Sequence, residues 1–388
     1  MKISWKIYVL TLISFIVGTS QFIIVGLLDK IAMDLGISVA TAGQLITVFA
    51  LANAIGTPII IMLTAKLDKR KQLIMALSII LVGILIIATS KSFSSILFAR
   101  IILGIGTGVF TVSAYGTAAK LASTEFRARA MSNVAMGVSA ALILGVPIGR
   151  MLSSFYNWKM IFGILGILCF IAIIVLIKVI PSTEVDKPVP LVEQLSYLKK
   201  PTILLTLLIT FLVFIAYSLI NTYITPYSKI ALSINENQVS SILLTLGIAS
   251  LIGAKTGGKL ADRFGARRTL LSSMFIQILA LLILSLVGGV RVPTLIFLII
   301  YEMSAWTFGP TQNYNLVTLA PEASGIMLSL NSSFVQMGFA TGAGIGGLAI
   351  SNFSVLSITI VGAFTVSTAL VIRLKLKDSS SRLVQSIS

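Results

Sequence analysis

Twelve long apolar segments alternate with short polar stretches along the 388 residues of the chain. Each apolar segment has about 20 residues, the length at which an α-helix crosses the hydrocarbon core of a bilayer. Because lipid offers no partner for backbone N–H and C=O groups, such segments must be helical. The pattern therefore predicts an all-α membrane protein with twelve transmembrane helices. We place them at residues 6–28, 41–64, 72–90, 95–117, 131–153, 160–180, 201–223, 238–257, 269–288, 293–314, 325–349 and 355–373.

The longest predicted loop, 181–200, contains Pro188 and Pro190 and lies at the middle of the chain. It predicts a cytoplasmic linker between an N-terminal six-helix bundle, 1–180, and a C-terminal bundle, 201–377. Residues 378–388 form a predicted cytoplasmic tail. The first apolar segment is longer than the core of a signal peptide and has no evident small-residue cleavage site, so we expect it to be retained as a helix.

The distribution of charge predicts the orientation in the membrane. The chain has 29 Lys and Arg against 12 Asp and Glu, a net charge of +17, and only 11% of its residues are charged. The basic residues cluster in alternate loops, a bias typical of cytoplasmic loops in membrane proteins. We therefore expect an inner (plasma) membrane protein with both termini in the cytoplasm. The only basic residues in the loops predicted on the opposite side of the membrane are Lys30, Lys91, Lys159, Lys229 and Arg291.

The same distribution argues against nucleic acid as a partner, since the positive charge is divided among short loops. We expect the partners to be the lipid bilayer and a small-molecule substrate, and the chain to be a monomer. Histidine is absent and Cys169 is the single cysteine. These counts exclude His-based catalysis and give no metal-ligand pattern. No phosphate-binding Gly-x-x-x-x-Gly-Lys-Ser/Thr loop occurs, which excludes a nucleotide-driven pump within this chain.

An internal repeat follows from two pairs of matching segments. Thr64 and Asp68 correspond to Gly258 and Asp262, each 194 residues further on. Two glycine pairs 197 residues apart agree with this period, Gly145 with Gly342 and Gly149 with Gly346. Parallel repeats of this kind place the substrate cavity of a transporter between the two halves, near the middle of the membrane.

The segment Gly258–Arg268 resembles the signature loop of the major facilitator superfamily, Gly-x-Leu-Ala-Asp-Arg-x-Gly-Arg-Arg, and departs from it only at Ala266. In the first half the corresponding loop is degenerate, with Thr64 in place of the first glycine. Arg100 with its following glycines is similar to the family's motif in the fourth helix. Three further motifs resemble the drug:proton antiporter branch, which includes bacterial exporters of purine nucleosides, arabinose-type sugars and chloramphenicol. They are Trp158-Lys159-x-x-Phe162, Trp306-x-x-x-Pro310-x-Gln312 and Ser329-Leu330-Asn331.

The resemblance implies the major facilitator fold, with two pseudo-symmetric six-helix bundles. It implies efflux of a small organic solute (a drug, nucleobase, nucleoside or sugar) by proton antiport, with the proton gradient as energy source and no cofactor. An uncoupled facilitator or an uptake carrier of the same fold is the alternative. A membrane-embedded transferase is a remote alternative, since the sequence has no histidine and no paired acids of the kind that such catalysis uses. We therefore do not expect an enzyme.

The resemblance also assigns roles to two groups of residues. The turn with Asp262 would be a conformational latch, and the alternative is a topology signal alone. The glycines and proline of the fifth helix would form a hinge that lets it approach the eleventh helix, and the alternative is the small-residue packing common to membrane helices. The latch residues are Gly258, Asp262, Arg263 and Gly265, with Asp68 in the first half, and the hinge residues are Gly137, Gly145, Pro147 and Gly149.

Three charged residues are candidates for proton coupling. Glu302 lies near the middle of the predicted tenth helix, where a carboxyl group can bind and release a proton or bind substrate, and the alternative is a structural hydrogen bond to a neighbouring helix. Exporters of the branch that the chain resembles typically carry a glutamate where this chain has Gln21. Asp29 is therefore a second candidate, or else an interfacial acid. Arg100 is a possible electrostatic partner, unless it reaches to the interface.

Aromatic and amide side chains in the predicted helices suit a cavity for planar polar solutes. The cavity candidates are Gln21, Tyr217, Asn221, Tyr223, Trp306, Gln312, Asn331 and Gln336.

Overall fold

The computed structural model describes residues 5–123, 126–182 and 191–376 of the chain. Within these ranges all regular structure is helical, and twelve helices are long and apolar enough to cross a membrane. Lys2, residues 183–190 of the predicted linker and the predicted tail lie outside the described residues. The first six spans are α1 (Trp5–Leu35), α2 (Val39–Leu63), α3 (Lys69–Thr89), α4 (Phe93–Leu121), the fifth span with α5 (Arg127–Ala140) and α6 (Val146–Leu152), and α7 (Trp158–Val179).

The other six spans begin at Pro201, after a short helix and a 3-10 turn in the region of the predicted linker. They are α9 (Pro201–Thr222), α11 (Glu236–Phe264), α12 (Ala266–Val287), α13 (Arg291–Leu319), α14 (Ser324–Asn352) and α15 (Ser357–Lys375). The shorter helices are α8 (Leu191–Ser196) and α10 (Ile224–Ala231), with 3-10 turns at Tyr197–Lys199 and Pro321–Ala323.

Several spans extend beyond their predicted ends. The first was predicted to end at residue 28 and continues to Leu35, and the eighth was predicted to end at residue 257 and continues to Phe264. Hydropathy detects only the apolar core of a helix, whereas the backbone hydrogen bonds continue through the polar residues beyond it. Local signals set several of the starts. The side chains of Ser38, Asp68 and Ser92 accept a backbone N–H of the first helical turn.

The fifth span is not a regular α-helix. Between α5 and α6 lies a π-helical turn, Ala141–Gly145, and Pro147 is the second residue after it. Proline has no N–H to donate to the preceding turn, and its ring crowds the carbonyl there. A wider turn relieves that crowding. The segment predicted as a hinge therefore contains a local change of helical geometry.

The chain divides into two compact units. Unit 1 comprises Met1–Pro188, Thr222–Lys229 and Ile234–Gly247, and unit 2 comprises Val189–Asn221, Ile230–Ser233 and Ile248–Ser388. Unit 1 thus includes two segments that follow the predicted linker in sequence.

Glycines mark the close helix contacts within each unit. In unit 1 a Cβ on Gly137 would lie closer than 3.0 Å to Thr11 O of α1, and Gly145 and Gly149 also face α1. The close contacts of these three glycines are thus made with the first helix, and the predicted approach to the eleventh helix stays a prediction. In unit 2 Gly338 and Gly342 of α14 face α9, where a Cβ on Gly338 would lie 2.8 Å from Phe211 O.

These contacts also correct the register of the repeat. Gly137 packs against Thr11 and Ser14, and Gly338 packs against Phe211 and Phe214. The two glycines therefore occupy equivalent places in their units, although they are 201 residues apart. The pairing of glycines 197 residues apart was wrong by one helical turn, because glycines recur at one-turn intervals on both helices and a pattern alone can align them at either turn.

Candidate functional site

A buried carboxylate lies in α13 of unit 2. Glu302 is 7% exposed, and its Oε1 accepts hydrogen bonds from Trp306 Nε1 at 2.9 Å and from the Tyr217 hydroxyl at 3.4 Å. Trp306 stands one helical turn after Glu302, so the same helix face presents both side chains. Asn221 Nδ2 donates to the Tyr217 hydroxyl at 3.2 Å. Four residues predicted from the sequence thus form one hydrogen-bonded group.

Aromatic rings pack around this group. The Tyr217 ring lies 6.1 Å from that of Trp306 and 5.6 Å from that of Phe339, both edge to face. Phe214 continues the cluster, 5.7 Å from Phe339 and 6.4 Å from Phe308. The carboxylate is therefore surrounded by apolar and aromatic groups, which supply little of the solvation that a charged oxygen has in water.

Glu302 has no cationic partner in the part of the chain that the structure describes. Its second oxygen, Oε2, accepts no hydrogen bond from a described residue. An ionised carboxylate without a counter-charge is unfavourable at this depth, so a bound proton or a bound cation stabilises the group. The arrangement is suited to reversible uptake of one positive charge.

Amide and hydroxyl groups connect α13 to its neighbours further along the helix. Gln312 Nε2 donates to Thr206 O at 2.8 Å and to Thr210 Oγ1 at 2.9 Å. The Thr210 hydroxyl donates in turn to Asn331 Oδ1 at 2.8 Å. The predicted residues Gln312 and Asn331 are thus joined through α9. The two threonines were not predicted, since threonine is common in apolar helices and gives no distinctive signal.

The remaining predicted cavity residues are Gln336 in unit 2 and Gln21 and Tyr223 in unit 1. Gln336 is half-buried on α14 and makes no hydrogen bond to a described residue. Tyr223 is fully buried, and its hydroxyl packs so tightly on α2 that only a glycine, Gly43, fits opposite it.

Arg100 is buried in unit 1 and does not reach the interface. It is 1% exposed, and its Nε donates to Leu45 O at 3.2 Å and its Nη2 to Gln21 O at 3.3 Å. The guanidinium carbon lies 4.2 Å from the centre of the Phe49 ring. Backbone carbonyls and an aromatic face therefore hold this cation, whereas Gln21 contributes its carbonyl and not its side chain.

Asp29 belongs to a network of ionic side chains that we call the ion cluster: Asp29, Lys30, Arg150, Lys229 and Glu236. The Arg150 side chain is fully buried and binds both carboxylate oxygens of Asp29, with Nη2 at 2.9 Å from Oδ2. The same Nη2 contacts Glu236. Lys229 Nζ lies 2.5 Å from each carboxylate, and Lys30 Nζ lies 3.4 Å from Glu236.

Sequence reasoning identified Asp29 and missed its partners. Arg150 directly follows the predicted hinge residue Gly149 and lies inside the predicted fifth helix. A charged residue in an apolar span is itself a signal, and it was available. Glu236 and Lys229 carried no such signal, because both lie between two predicted spans, where charge is ordinary.

The signature segment of the second half is mostly helical and was predicted as a loop. Helix α11 continues to Phe264, and α12 begins at Ala266. Gly265 alone forms the turn, with φ of 82°, a conformation that favours glycine. Asp262 and Arg263 are exposed, and Asp262 forms no ion pair with the side chains that the structure describes.

The other glycine of this motif has no close neighbour. A Cβ on Gly258 would meet nothing within 4 Å, whereas one on Gly257 would lie 2.6 Å from Thr307 O of α13. A Cβ on Gly253 would likewise crowd Met303 O of α13. The close approach of α11 and α13 therefore depends on Gly253 and Gly257, which both precede the motif.

In the first half, Asp68 caps a helix. Its carboxylate accepts the Lys71 backbone N–H at 2.9 Å, where α3 begins. The buried Gln72 donates to Thr64 O at 2.9 Å and accepts from the Ser113 hydroxyl at 3.3 Å. Local hydrogen bonds thus account for the conformation of this degenerate loop.

Comparison with known proteins agrees with the helical architecture. The family described as Major Facilitator Superfamily matches residues 10–343 and 232–386. The chain belongs to the major facilitator superfamily. It is 43% identical over 382 residues to the MFS-type transporter YbcL of Bacillus subtilis (strain 168), covering 98% of each chain.

Two solved structures share the fold at 16% identity, covering 95% of this chain and 93% of theirs. Both are of a bacterial homologue of the human lysosomal transporter Spinster in inward-facing conformations, occupied with a TM-score of 0.70 and unoccupied with 0.68. The predicted fold class is confirmed. The chain is a multi-pass membrane transporter and not an enzyme, so the transferase alternative was wrong.

Proposed function

We propose that this transporter exports a small organic solute, such as a drug, nucleobase, nucleoside or sugar, in exchange for protons, as in the drug:proton antiporter branch that its motifs resemble. The observation that supports the proposal is Glu302, buried among aromatic rings and without a cationic partner in the described chain. A proton bound in one state of the carrier and released in the other couples the gradient to transport.

The energy is sufficient for useful accumulation. One charge that crosses about 100 mV releases about 2.3 kcal/mol. At about 1.4 kcal/mol per tenfold change in concentration, one proton sustains a solute gradient of about 50-fold. The ring cluster and the amides of Gln312 and Asn331 would suit a planar solute with polar edges.

An uncoupled facilitator or uptake carrier is the second candidate, favoured by two observations. Gln21, at the position where exporters of the resembled branch typically have a glutamate, cannot carry a proton. Asp29 is already paired with Arg150 and Lys229. Under this proposal Glu302 would serve substrate binding alone.

Transport in everted membrane vesicles separates the two candidates. A panel of purines, sugars and amphipathic drugs is offered with an imposed pH gradient and again without one. Antiport predicts uptake into everted vesicles only when the interior is acidic, and collapse on addition of a protonophore. Flux that follows the solute gradient and ignores the pH gradient would support the facilitator.

We propose that the protein resides in the plasma membrane as a monomer, with the basic loops and both termini in the cytoplasm. A reporter fused after Ser388 should then be active only in its cytoplasmic form, since the basic loops resist translocation. An alkaline phosphatase fusion, active outside the cytoplasm, is the matched control. Activity of that control would contradict the orientation.

We propose that the turn of Asp262, Arg263 and Gly265 is a conformational latch. Asp262 is exposed and has no ion pair among the described residues here, so its carboxylate is available to pair in another state of the cycle. Asp262→Asn should slow turnover about tenfold, the effect of losing one charge-assisted hydrogen bond. Initial transport rates, normalised to protein in the membrane, measure it. An unchanged rate would reduce the turn to a topology signal.

A further inference from the structure

The ion cluster joins side chains from both sides of the predicted linker. Asp29, Lys30 and Arg150 precede the linker in sequence, whereas Lys229 and Glu236 follow it. All five belong to unit 1, because unit 1 includes Thr222–Lys229 and the first turns of α11.

Close packing accompanies the charges. A Cβ on Gly247 of α11 would lie 2.9 Å from the Ile143 Cα in the π-helical turn. The Thr225 hydroxyl donates to Val25 O of α1 at 3.2 Å. Together with Tyr223 on α2, these contacts fasten the segments beyond the linker to α1, α2 and the fifth span. Both charged and apolar contacts therefore close unit 1 at the end where the ion cluster lies.

Arg150 is at the centre of the cluster. Its side chain is fully buried, and its Nη atoms bind Asp29, Glu236 and Gly26 O, the last at 2.8 Å. A buried guanidinium is stable only while it keeps such partners. Asp29 is a partner from the same half of the sequence, and Glu236 is a partner from the other half. The Arg150–Glu236 contact must therefore break if the two halves separate at this end.

We infer that Arg150 holds a charge-locked gate, in which Glu236 and Lys229 are clamped to Asp29 and Arg150 while this end of the carrier is closed. Opening at this end exchanges the Arg150–Glu236 contact for contacts with water. A carrier that works by alternating access passes through this exchange once in each cycle. The inference depends on alternating access and not on proton coupling.

The experiment measures opening without transport. Leu243 is buried beneath the cluster on α11, beside Gly26. Leu243→Cys is labelled with a membrane-impermeant maleimide in right-side-out and in inside-out vesicles, so that only reagent on the cluster's side reports. Glu236→Gln, and separately Arg150→Gln, should raise the labelling rate about tenfold, since each removes a charge-assisted contact of the closed state.

Two controls distinguish gating from general loosening. Asp34→Asn removes another ion pair, Asp34–Lys159 at 3.6 Å, whose partners both precede the linker, and it should leave the rate unchanged. The native Cys169 is buried in α7 and should stay unlabelled in every variant. Glu236 is a partly exposed side chain, so its variant decides the matter if Arg150→Gln does not reach the membrane.

The inference fails if Glu236→Gln leaves the labelling rate of Cys at position 243 unchanged, or if Asp34→Asn raises it equally. It also fails if Cys169 becomes labelled together with the reporter, because the cluster would then stabilise the fold as a whole. None of these labelling results bears on the proposed proton coupling, which the transport measurements test separately.

Discussion

The Glu302→Gln protein should lose gradient-driven transport and keep downhill exchange. In the native chain Trp306 Nε1 donates to Glu302 Oε1 at 2.9 Å, and the amide oxygen of the variant can accept the same hydrogen bond. The hydrogen-bonded group with Tyr217 should therefore stay in place. What the variant cannot do is bind and release a proton. Accumulation in everted vesicles with an imposed pH gradient should therefore fall to the level of vesicles treated with a protonophore.

Carboxyl-to-amide changes elsewhere provide the comparison. Asp34→Asn alters an acid distant in sequence from Glu302 and should transport normally. Asp29→Asn removes one acid of the ion cluster, and we expect gradient-driven transport to survive it, even if the rate changes. If Glu302→Gln accumulates substrate fully and Asp29→Asn does not, the coupling site belongs in α1. If neither change matters and a pH gradient never drives flux, the facilitator proposal replaces antiport.

Part of the site around Glu302 could be predicted from the sequence, and part could not. Glu302 could be predicted because one acid stands in the middle of an apolar helix, and Trp306 follows it by one helical turn. Their link to Tyr217 needs the packing of α9 against α13, across 85 residues of chain. Periodicity within a helix gives the face on which a residue lies, and it does not give the neighbour of that face.

The ion cluster illustrates the same limit more strongly. Arg150 and Asp29 are 121 residues apart, and Lys229 is 200 residues from Asp29. Asp29 alone suggested an interfacial acid or a coupling site. Only the tertiary structure shows that cations already neutralise it, which makes it a poorer candidate for proton coupling than Glu302.

The existence of the twelve helices was predictable, because the thickness of the bilayer core dictates their length and apolarity.

The glycines of the fifth span provide the other large expected effect. Gly137→Ala should destabilise the folded protein by about 1–3 kcal/mol, the usual cost of overpacking a close contact. A Cβ there would lie closer than 3.0 Å to Thr11 O and 3.0 Å from Ser14 Cβ. Because a backbone carbonyl cannot rotate away as a side chain does, α5 must shift from α1. Thermal melting in detergent, followed by the monodisperse fraction on size exclusion, measures the loss.

Two other glycines complete the comparison. Gly338→Ala should destabilise less than Gly137→Ala, since its Cβ would meet Phe211 O and Phe214 Cβ at 2.8 Å each. Gly163→Ala is the matched control, because a Cβ there would meet nothing within 4 Å and alanine favours the helix. If all three proteins melt alike, the glycines do not set the helix contacts. A loss at both Gly137 and Gly338, larger at Gly137, with Gly163→Ala unchanged, would show that close backbone contacts at these two glycines hold the helix pairs together, since the size of the loss then follows the closeness of each contact.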